Sequence, residues 1–365
     1  MKKIVASVGL VALGASSLTA VHGQNLAATP PYKPWNVSAS LRGFYDDNIN
    51  GVPSGSVDAR GNSLNQSSFG VQIAPAVGFA WQNDQTAIKA GYVYTLRYYE
   101  KKPYNNANNY DQNHDFNMAL GHAFSERYRV DVTDSFVVGQ EPDLLRHGYA
   151  LQEPQRVSGD NIRNYGVINF NAQFTPLFGL EAGYANAYYD YHDKTPFTNA
   201  FVTAGNDIVA SRSGTLDRSE HTFHLDGRFQ MQPQTVGIVG YQFAMASYLG
   251  DEIISEDVVN GTLVYSKSRN YRAHYGYVGA DHNFRPDFSG SIRVGARGTD
   301  YYNADESDLS PYVNASLQYN YAAESSATIG FSYDRNATDV TTVLGGTSTS
   351  ATKLTLDAES AVLYG

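Results

Sequence analysis

The stretch that decides the fold is FGVQIAPAVGFAW, which runs from Phe69 to Trp81. Every second residue from Phe69 is apolar and mostly bulky, whereas the residues between are small except for Gln72. This period of two is typical of a β-strand with two different faces. The stretch is long enough to cross a bilayer, with its bulky face toward lipid and its small face toward a lumen. Pro75 cannot donate a hydrogen bond to a neighbouring strand, so we expect a bulge there.

The same alternation recurs from residue 35 onward and predicts about 14 strands, an even number as in bacterial barrels. Short connections are predicted near 82–85, 125–127, 175–177, 230–234, 285–287 and 322–325. Long polar connections alternate with them, near 47–67, 100–112, 139–161, 192–217, 250–268, 303–309 and 335–351. Short periplasmic turns and long external loops alternate in this way in transmembrane barrels. The sequence therefore predicts an all-β fold, an antiparallel up-and-down transmembrane β-barrel over 35–365. The alternative, a soluble β-sandwich, would have shorter strands and a polar outward face.

Aromatic residues stand at both ends of these strands. Just before the short turns lie Trp81, Phe124, Phe174, Phe229, Phe284 and Tyr321. At the far ends lie Tyr45, Tyr98, Tyr99, Tyr188, Tyr189, Tyr191, Tyr248, Tyr301, Tyr302 and Tyr333. The two interfaces of a membrane favour aromatic side chains, so the pattern predicts two aromatic belts.

The N-terminus reads as a secretory signal. Lys2 and Lys3 precede the apolar segment Ile4–Leu13, and residues 1–23 form the predicted signal peptide. Residues 24–34 form a short leader, too small to be a plug domain. The chain has no Cys, so an exported protein of this sequence forms no disulfides and depends on hydrogen bonding and burial. We expect the barrel to lie in the outer membrane of a Gram-negative bacterium.

The charge pattern has two readings. The formal net charge of -10 argues against nucleic-acid binding, which needs basic patches. The predicted inward phase nevertheless carries nine basic residues, Arg42, Lys89, Arg97, Arg127, Arg129, Arg228, Arg272, Arg293 and Arg297. It also carries five acidic ones, Asp115, Asp131, Glu181, Asp226 and Asp334. A lumen with excess positive charge would favour anions, whereas a self-neutralising network of Arg–Asp pairs would instead hold the strands in register.

Catalytic and metal sites find little support in the sequence. His114 and His122, with the nearby Asp131 and Asp134, are the best candidates for a base and its orienting acid. No nucleophile stands at a matching spacing, and both histidines fall on the lipid-side phase. The nine His are scattered. We therefore expect no enzymatic activity, no metal and no cofactor.

The segment from Asn113 to Leu145 carries a family resemblance. A strand ending at Phe124, a turn at 125–128 and a strand running to Phe136 lead into the sequence QEPD at 140–143. From about residue 35 onward the chain resembles the second type of outer-membrane β-barrel porins, with a more distant similarity to barrels of exopolysaccharide export. The resemblance is one of pattern and spacing, so it assigns no functional residue. It implies a pore.

The expected function is a passive pore for small hydrophilic solutes with a weak anion preference. An exopolysaccharide export pore and a structural or adhesive barrel with a blocked lumen are the alternatives. The expected partners are the lipid bilayer, the solutes and the outer-membrane assembly machinery, which reads a terminal aromatic residue. Here Tyr364 is followed by Gly365, so either Tyr364 serves as that signal or the sequence is truncated within its last strand. The sequence leaves the oligomeric state open.

Overall fold

The computed structural model describes residues 33–49, 55, 61, 63, 65–101, 108–140, 160–192, 212–257, 262–322, 325–337 and 357–364. The signal peptide, most of the leader and much of the long connections lie outside these ranges. The strands are β1 (Trp35–Asp46), β2 (Ser68–Gln82), β3 (Thr86–Tyr99), β4 (Tyr110–Ala123), β5 (Tyr128–Gly139), β6 (Asn161–Gln173), β7 (Phe178–Tyr191), β8 (Arg218–Gln232), β9 (Thr235–Tyr248), β10 (Ile253–Asp257), β11 (Thr262–Tyr265), β12 (Tyr271–Arg285), β13 (Phe288–Tyr301), β14 (Glu306–Ala322), β15 (Ser325–Ala337) and β16 (Asp357–Tyr364).

Fourteen of these strands form one antiparallel sheet in which each strand pairs with the next along the chain. Only β10 and β11 stand apart, as a small hairpin between β9 and β12. This confirms the predicted all-β, up-and-down barrel architecture and its strand number. Most of the long strands have 12 to 15 residues, long enough to cross a bilayer when tilted. Among the described residues, no ladder joins β1 to β16.

The alternation of short and long connections is also present. β2 and β3, for example, are separated by three residues, whereas β1 and β2 are separated by residues 47–67. One prediction was wrong: the connection near 303–309 is only 302–305, because β14 begins at Glu306 and extends through a segment that looked like an acidic loop. Asp305, the last residue of that tight connection, has a left-handed φ of 52°.

The connection between β9 and β12 has structure that the sequence pattern did not predict. It contains the β10–β11 hairpin and a 3-10 helix, Ser266–Arg269. A one-turn helix, α1 (Arg212–Leu216), precedes β8. Among the described residues, no helix is both long and apolar enough to span a membrane.

The two faces of the sheet differ as the alternation predicts. On β2, Phe69, Ile73 and Phe79 are exposed, whereas Gln72 and Ala74 are buried. The bulge expected at Pro75 is absent, since the β1–β2 register runs unbroken through Ala39 opposite Pro75. The β2–β3 ladder instead omits positions 74 and 75 and resumes in the same register at Ala76. The missing N–H is accommodated by a local gap in pairing rather than by an extra residue.

Candidate functional site: the inner wall

Seven of the nine basic residues predicted to face inward lie on the inner face of the sheet. The register puts each of them on the side that carries small or polar partners, as in the pairs Arg42 with Gln72 and Lys89 with Ala80. The seven are Arg42, Lys89, Arg97, Arg129, Arg228, Arg293 and Arg297.

Arg127 and Arg272 do not belong to this wall. Arg127 is exposed in the short turn before β5 begins at Tyr128, so it precedes the paired strand. Arg272 is exposed on the outward face of β12, with its guanidinium 4.8 Å from the ring centroid of Tyr302. The phase assumed for β12 was wrong because its tyrosines, beginning at Tyr271, occupy the inner face and turn Arg272 outward.

The register also shows charged inward residues that the sequence reading missed. In the long strands, the inward basic residues are Arg42, Lys89, Arg97, Arg129, Arg163, Arg218, Arg228, Arg293 and Arg297. The inward acidic residues are Asp46, Asp111, Asp115, Asp131, Glu181, Glu220, Asp226, Asp281, Glu306, Asp308 and Asp334. Acidic positions therefore outnumber basic ones, and the predicted excess of positive charge is not present along these strands. The wrong phase of β12 hid Asp281, whereas Asp111, Glu306 and Asp308 lie in segments that were predicted to be connections.

A chain of ion pairs crosses four strands of the inner wall. Arg228 on β8 bonds through Nη1 to Glu181 Oε2 on β7 at 3.2 Å and through Nη2 to Asp281 Oδ2 on β12 at 3.0 Å. Arg293 on β13 bonds through Nη1 to Asp281 Oδ1 at 2.8 Å. Charge-assisted hydrogen bonds of this length are stronger than neutral ones. The chain holds β7, β8, β12 and β13 together from the inside and neutralises both arginines.

One strand position above this chain, a tyrosine bridges two strands that are not neighbours. Tyr277 on β12 donates its hydroxyl to Asp226 Oδ1 on β8 at 2.6 Å. The intervening strand β9 has Gly240 directly between them in the register. A Cβ at Gly240 would overlap both the Tyr277 ring and the Asp226 carboxylate. The bridge therefore requires a residue without a side chain at this position.

Arg297 on β13 pairs with Tyr275, the inward neighbour of Tyr277 on β12, and is 2% exposed. Its Nη1 lies 3.5 Å from Asp334 Oδ1 on β15, and Tyr275 donates its hydroxyl to Asp334 Oδ2 at 3.4 Å. The guanidinium also lies 5.1 Å from the Tyr275 ring centroid, within cation–π range. Tyr312 packs against Tyr275 and Tyr277 with centroid distances of 5.6 and 5.8 Å. One side of the inner wall, β8 to β15, is thus tightly packed and neutralised.

The opposite side of the inner wall, β1 to β3, is different. Arg42 and Lys89 are exposed there. Arg97 donates through Nε to Gln72 Oε1 at 3.0 Å, a neutral partner on the adjacent strand. Arg42 and Lys89 form a short strip of exposed positive charge, in contrast to the paired arginines of β8 to β15.

The outer loops above the packed side are held together by one buried arginine. Arg269, at the end of the 3-10 helix, is 1% exposed and its guanidinium lies 4.0 Å from the Tyr248 ring centroid. Its Nη2 donates to the carbonyls of Gly214 and Thr215 in α1. Arg269 thereby joins the connection that follows β9 to the one that precedes β8.

The six aromatic residues at the short turns all have exposed side chains, Trp81, Phe124, Phe174, Phe229, Phe284 and Tyr321. The second predicted belt is only partly present on the outer face. Tyr45, Tyr98 and Tyr302 are exposed. The belt assignment was wrong for four others, which are buried on the inner face: Tyr99, Tyr191, Tyr248 and Tyr301.

Among the described residues, no three His, Asp or Glu side chains are grouped so as to hold a metal ion. His114 and His122 lie on the outward face, opposite the phase of Asp131. Their ring nitrogens bond to Tyr92 and Thr86 rather than to a carboxylate.

No protein-family model matches the chain, and neither does any curated protein. Among solved structures, the chain is similar to an outer membrane channel from Pseudomonas putida F1, with 11% identity over 82% of this chain and 99% of that chain and a TM-score of 0.36. The toluene transporter TodX from P. putida gives 9% identity over 82% of each chain and a TM-score of 0.35. The KdgM porin gives 10% identity over 69% of this chain and 96% of that chain, with a TM-score of 0.27. The likeness is one of architecture alone.

Proposed function

We propose that this chain is a passive pore for small hydrophilic solutes in the outer membrane of a Gram-negative bacterium. The observation that carries the proposal is the pair of contrasting faces on one fourteen-stranded meander. The outward face exposes large apolar side chains such as Phe79, Met118 and Leu225, which water does not favour and hydrocarbon does. The inward face carries the charged residues described above, which only a hydrated or self-paired interior accommodates.

The solute path is proposed to follow the β1–β3 side of the lumen. Side chains on the β8–β15 side already bond to one another, as Arg228 does to Glu181 and Asp281, so they contribute little net field to a passing ion. Arg42 and Lys89 are exposed on the other side. A weak anion preference remains a prediction and depends on this strip, because the inner wall as a whole has no positive excess.

Single-channel conductance in a planar bilayer, with the reversal potential measured in a salt gradient, tests this proposal. We expect discrete conductance steps and a reversal potential that leans toward anions. The double variant R42Q/K89Q should move the reversal potential toward cations, whereas R285Q, at an exposed outward position beside the short turn after β12, should not. Folded protein that gives no conductance would contradict the pore.

A barrel with a blocked lumen is the second candidate, favoured by the burial of Tyr275, Tyr277, Tyr312 and Arg297 on the inner wall. Such a barrel would stabilise its own interior and leave any activity to its outer loops. It predicts normal folding and no conductance. Export of a polysaccharide, whose sugar rings could stack on inward tyrosines such as Tyr189, predicts instead that conductance is blocked by added oligosaccharide.

A further inference from the structure

Three Tyr–His pairs decorate the outward face of the sheet at equivalent places. Tyr92 Oη lies 2.9 Å from His114 Nδ1, and Tyr184 Oη lies 2.8 Å from His221 Nδ1. The third pair comprises Tyr241 Oη and His274 Nδ1, at 2.7 Å. All six side chains lie on the phase of the exposed apolar residues, so polar groups stand here on a surface that is otherwise apolar.

The pairs repeat one geometry. In each, the tyrosine is the seventh residue of a strand that runs from a short turn toward a long connection, namely β3, β7 or β9. The histidine lies diagonally across from it on the next strand of the sheet. The strand pair β5–β6 has a fourth example, since Asn164 Nδ2 donates to Asp134 Oδ1 at 3.0 Å from the same two positions. Diagonal neighbours lie within reach of long side chains. The repetition places the polar pairs at one height around this part of the barrel.

That height can be estimated from the strand geometry. His114, Asn164 and His274 each precede an aromatic residue of the short-turn end, Phe124, Phe174 or Phe284, by ten positions. Ten residues span about 33 Å along a strand, or about 25 Å along the barrel axis at the usual tilt. This equals the thickness of the apolar band of outer-membrane barrels. Relative to the aromatic residues, the pairs therefore lie where the opposite membrane interface begins.

The pairs also have a defined hydrogen-bonding capacity. We assign the tyrosine hydroxyl as the donor to Nδ1, and this assignment gives a neutral imidazole with its proton on Nε2. His221 uses its Nε2 on Ser219 Oγ, at 3.0 Å. Within the described part of the chain, Nε2 of His114 and Nε2 of His274 have no such partner, so each presents an N–H to its surroundings.

We infer that the outward Tyr–His pairs at His114 and His274 bind the phosphate groups of lipid headgroups at the interface on the long-loop side. This rests on the proposed membrane location and names a ligand for the outer surface. A phosphate oxygen accepts the Nε2–H, while the apolar residues below, Phe116 for example, contact the acyl chains.

The polar pairs occupy only part of the barrel circumference, as expected if the ligand binds on one side of the barrel. At the corresponding positions the neighbouring strand pairs have Leu41 with Val71 on β1–β2, and Val294 with Pro311 on β13–β14. These offer no side-chain donor. A belt that served only to anchor the barrel would continue around its whole circumference. Because the pairs occur only between β3 and β12, the headgroup contacts are confined to that side.

Native mass spectrometry on protein released from micelles tests the inference, with dioleoyl phosphatidylglycerol as the probe and a phosphate-free galactosyl diacylglycerol as its comparison. The variant H114F/H274F keeps an aromatic ring at both positions and removes both donors. The matched control H224F makes the same change on the inner wall, where His224 lies opposite Gly183 in the register. We expect about fivefold weaker retention of phosphatidylglycerol for H114F/H274F and no change for H224F.

A second variant, Y92F/Y241F, keeps both histidines and removes only the hydroxyls that fix their tautomers. It should weaken retention less than H114F/H274F does, and it serves if the double histidine variant fails to fold. Equal phosphatidylglycerol retention by all variants would overturn the inference. So would galactolipid retention as strong as that of phosphatidylglycerol. Loss of a multimer in H114F/H274F would assign the surface to contacts between copies instead. Conductance measured on the same samples separates this result from the pore, because the pairs do not face the lumen.

Discussion

The substitution D281N isolates the role of the ion-pair chain on the inner wall. Asp281 accepts from Arg293 Nη1 at 2.8 Å and from Arg228 Nη2 at 3.0 Å, and all three side chains are partly or largely buried. A charge-assisted hydrogen bond contributes about 1.5–3 kcal/mol. Arg228 keeps Glu181, and Arg293 Nη1 keeps Ser291 Oγ at 3.0 Å, so the loss is partial. We expect the free energy of unfolding to fall by about 2 kcal/mol.

The same substitution should change ion selectivity, since it leaves one uncompensated positive charge on the inner wall. Urea unfolding in lipid vesicles, followed through Trp35 and Trp81, measures the stability, and the reversal potential in a salt gradient measures the selectivity. The control is D287N, whose carboxylate pairs with Arg285 at 3.3 Å on an exposed turn and should contribute less than about 1 kcal/mol. If D281N destabilises no more than D287N, the ion-pair chain does not hold the wall together. An unchanged reversal potential would contradict the view that pairing with Asp281 is what keeps the charge of these arginines from acting on passing ions.

The remaining predictions concern close packing and the outer loops. G240A should destabilise the barrel by about 1–3 kcal/mol because a Cβ there overlaps the Tyr277 ring, whereas G276A has open space around it and should be neutral, as urea midpoints would show. Equal midpoints would contradict the need for a glycine between Tyr277 and Asp226. R269K should speed protease cleavage in the outer loops, because lysine cannot hold the carbonyls of two residues while covering the Tyr248 ring, whereas K267R changes only an exposed ion pair. Identical digestion of both variants would contradict the role of Arg269.

Much of the fold could be predicted because one local rule governs it. Side chains alternate across a strand, so the sequence of Phe69–Trp81 predicts both its conformation and the face that meets an apolar environment. Where acidic residues interrupted the pattern, prediction failed, as at Glu306–Asp308, which looked like a loop but forms the start of β14. Hydrogen bonding to β13 decides that conformation, and such pairing is not a local property.

The inner wall was harder to predict because tyrosine is ambiguous. An aromatic ring with a hydroxyl suits a membrane interface, but it also suits a lumen in which a carboxylate accepts its proton. Tyr277 faces inward because Asp226 lies two strands away and Gly240 leaves room between them. That combination brings together residues from three strands, and it reversed the expected face of Arg272.

By itself, the sequence determined an antiparallel meander of about 14 strands with an apolar outside and a polar inside. It could do so because period-two alternation is a local property of the sequence of each strand. Only the tertiary structure decided which charges neutralise one another and which polar groups remain on the outer surface. Asp281 meets Arg228 and Arg293, and Tyr92 meets His114, through the register between strands. Register is set jointly by all the paired strands and by the packing on both faces, so no single segment encodes it.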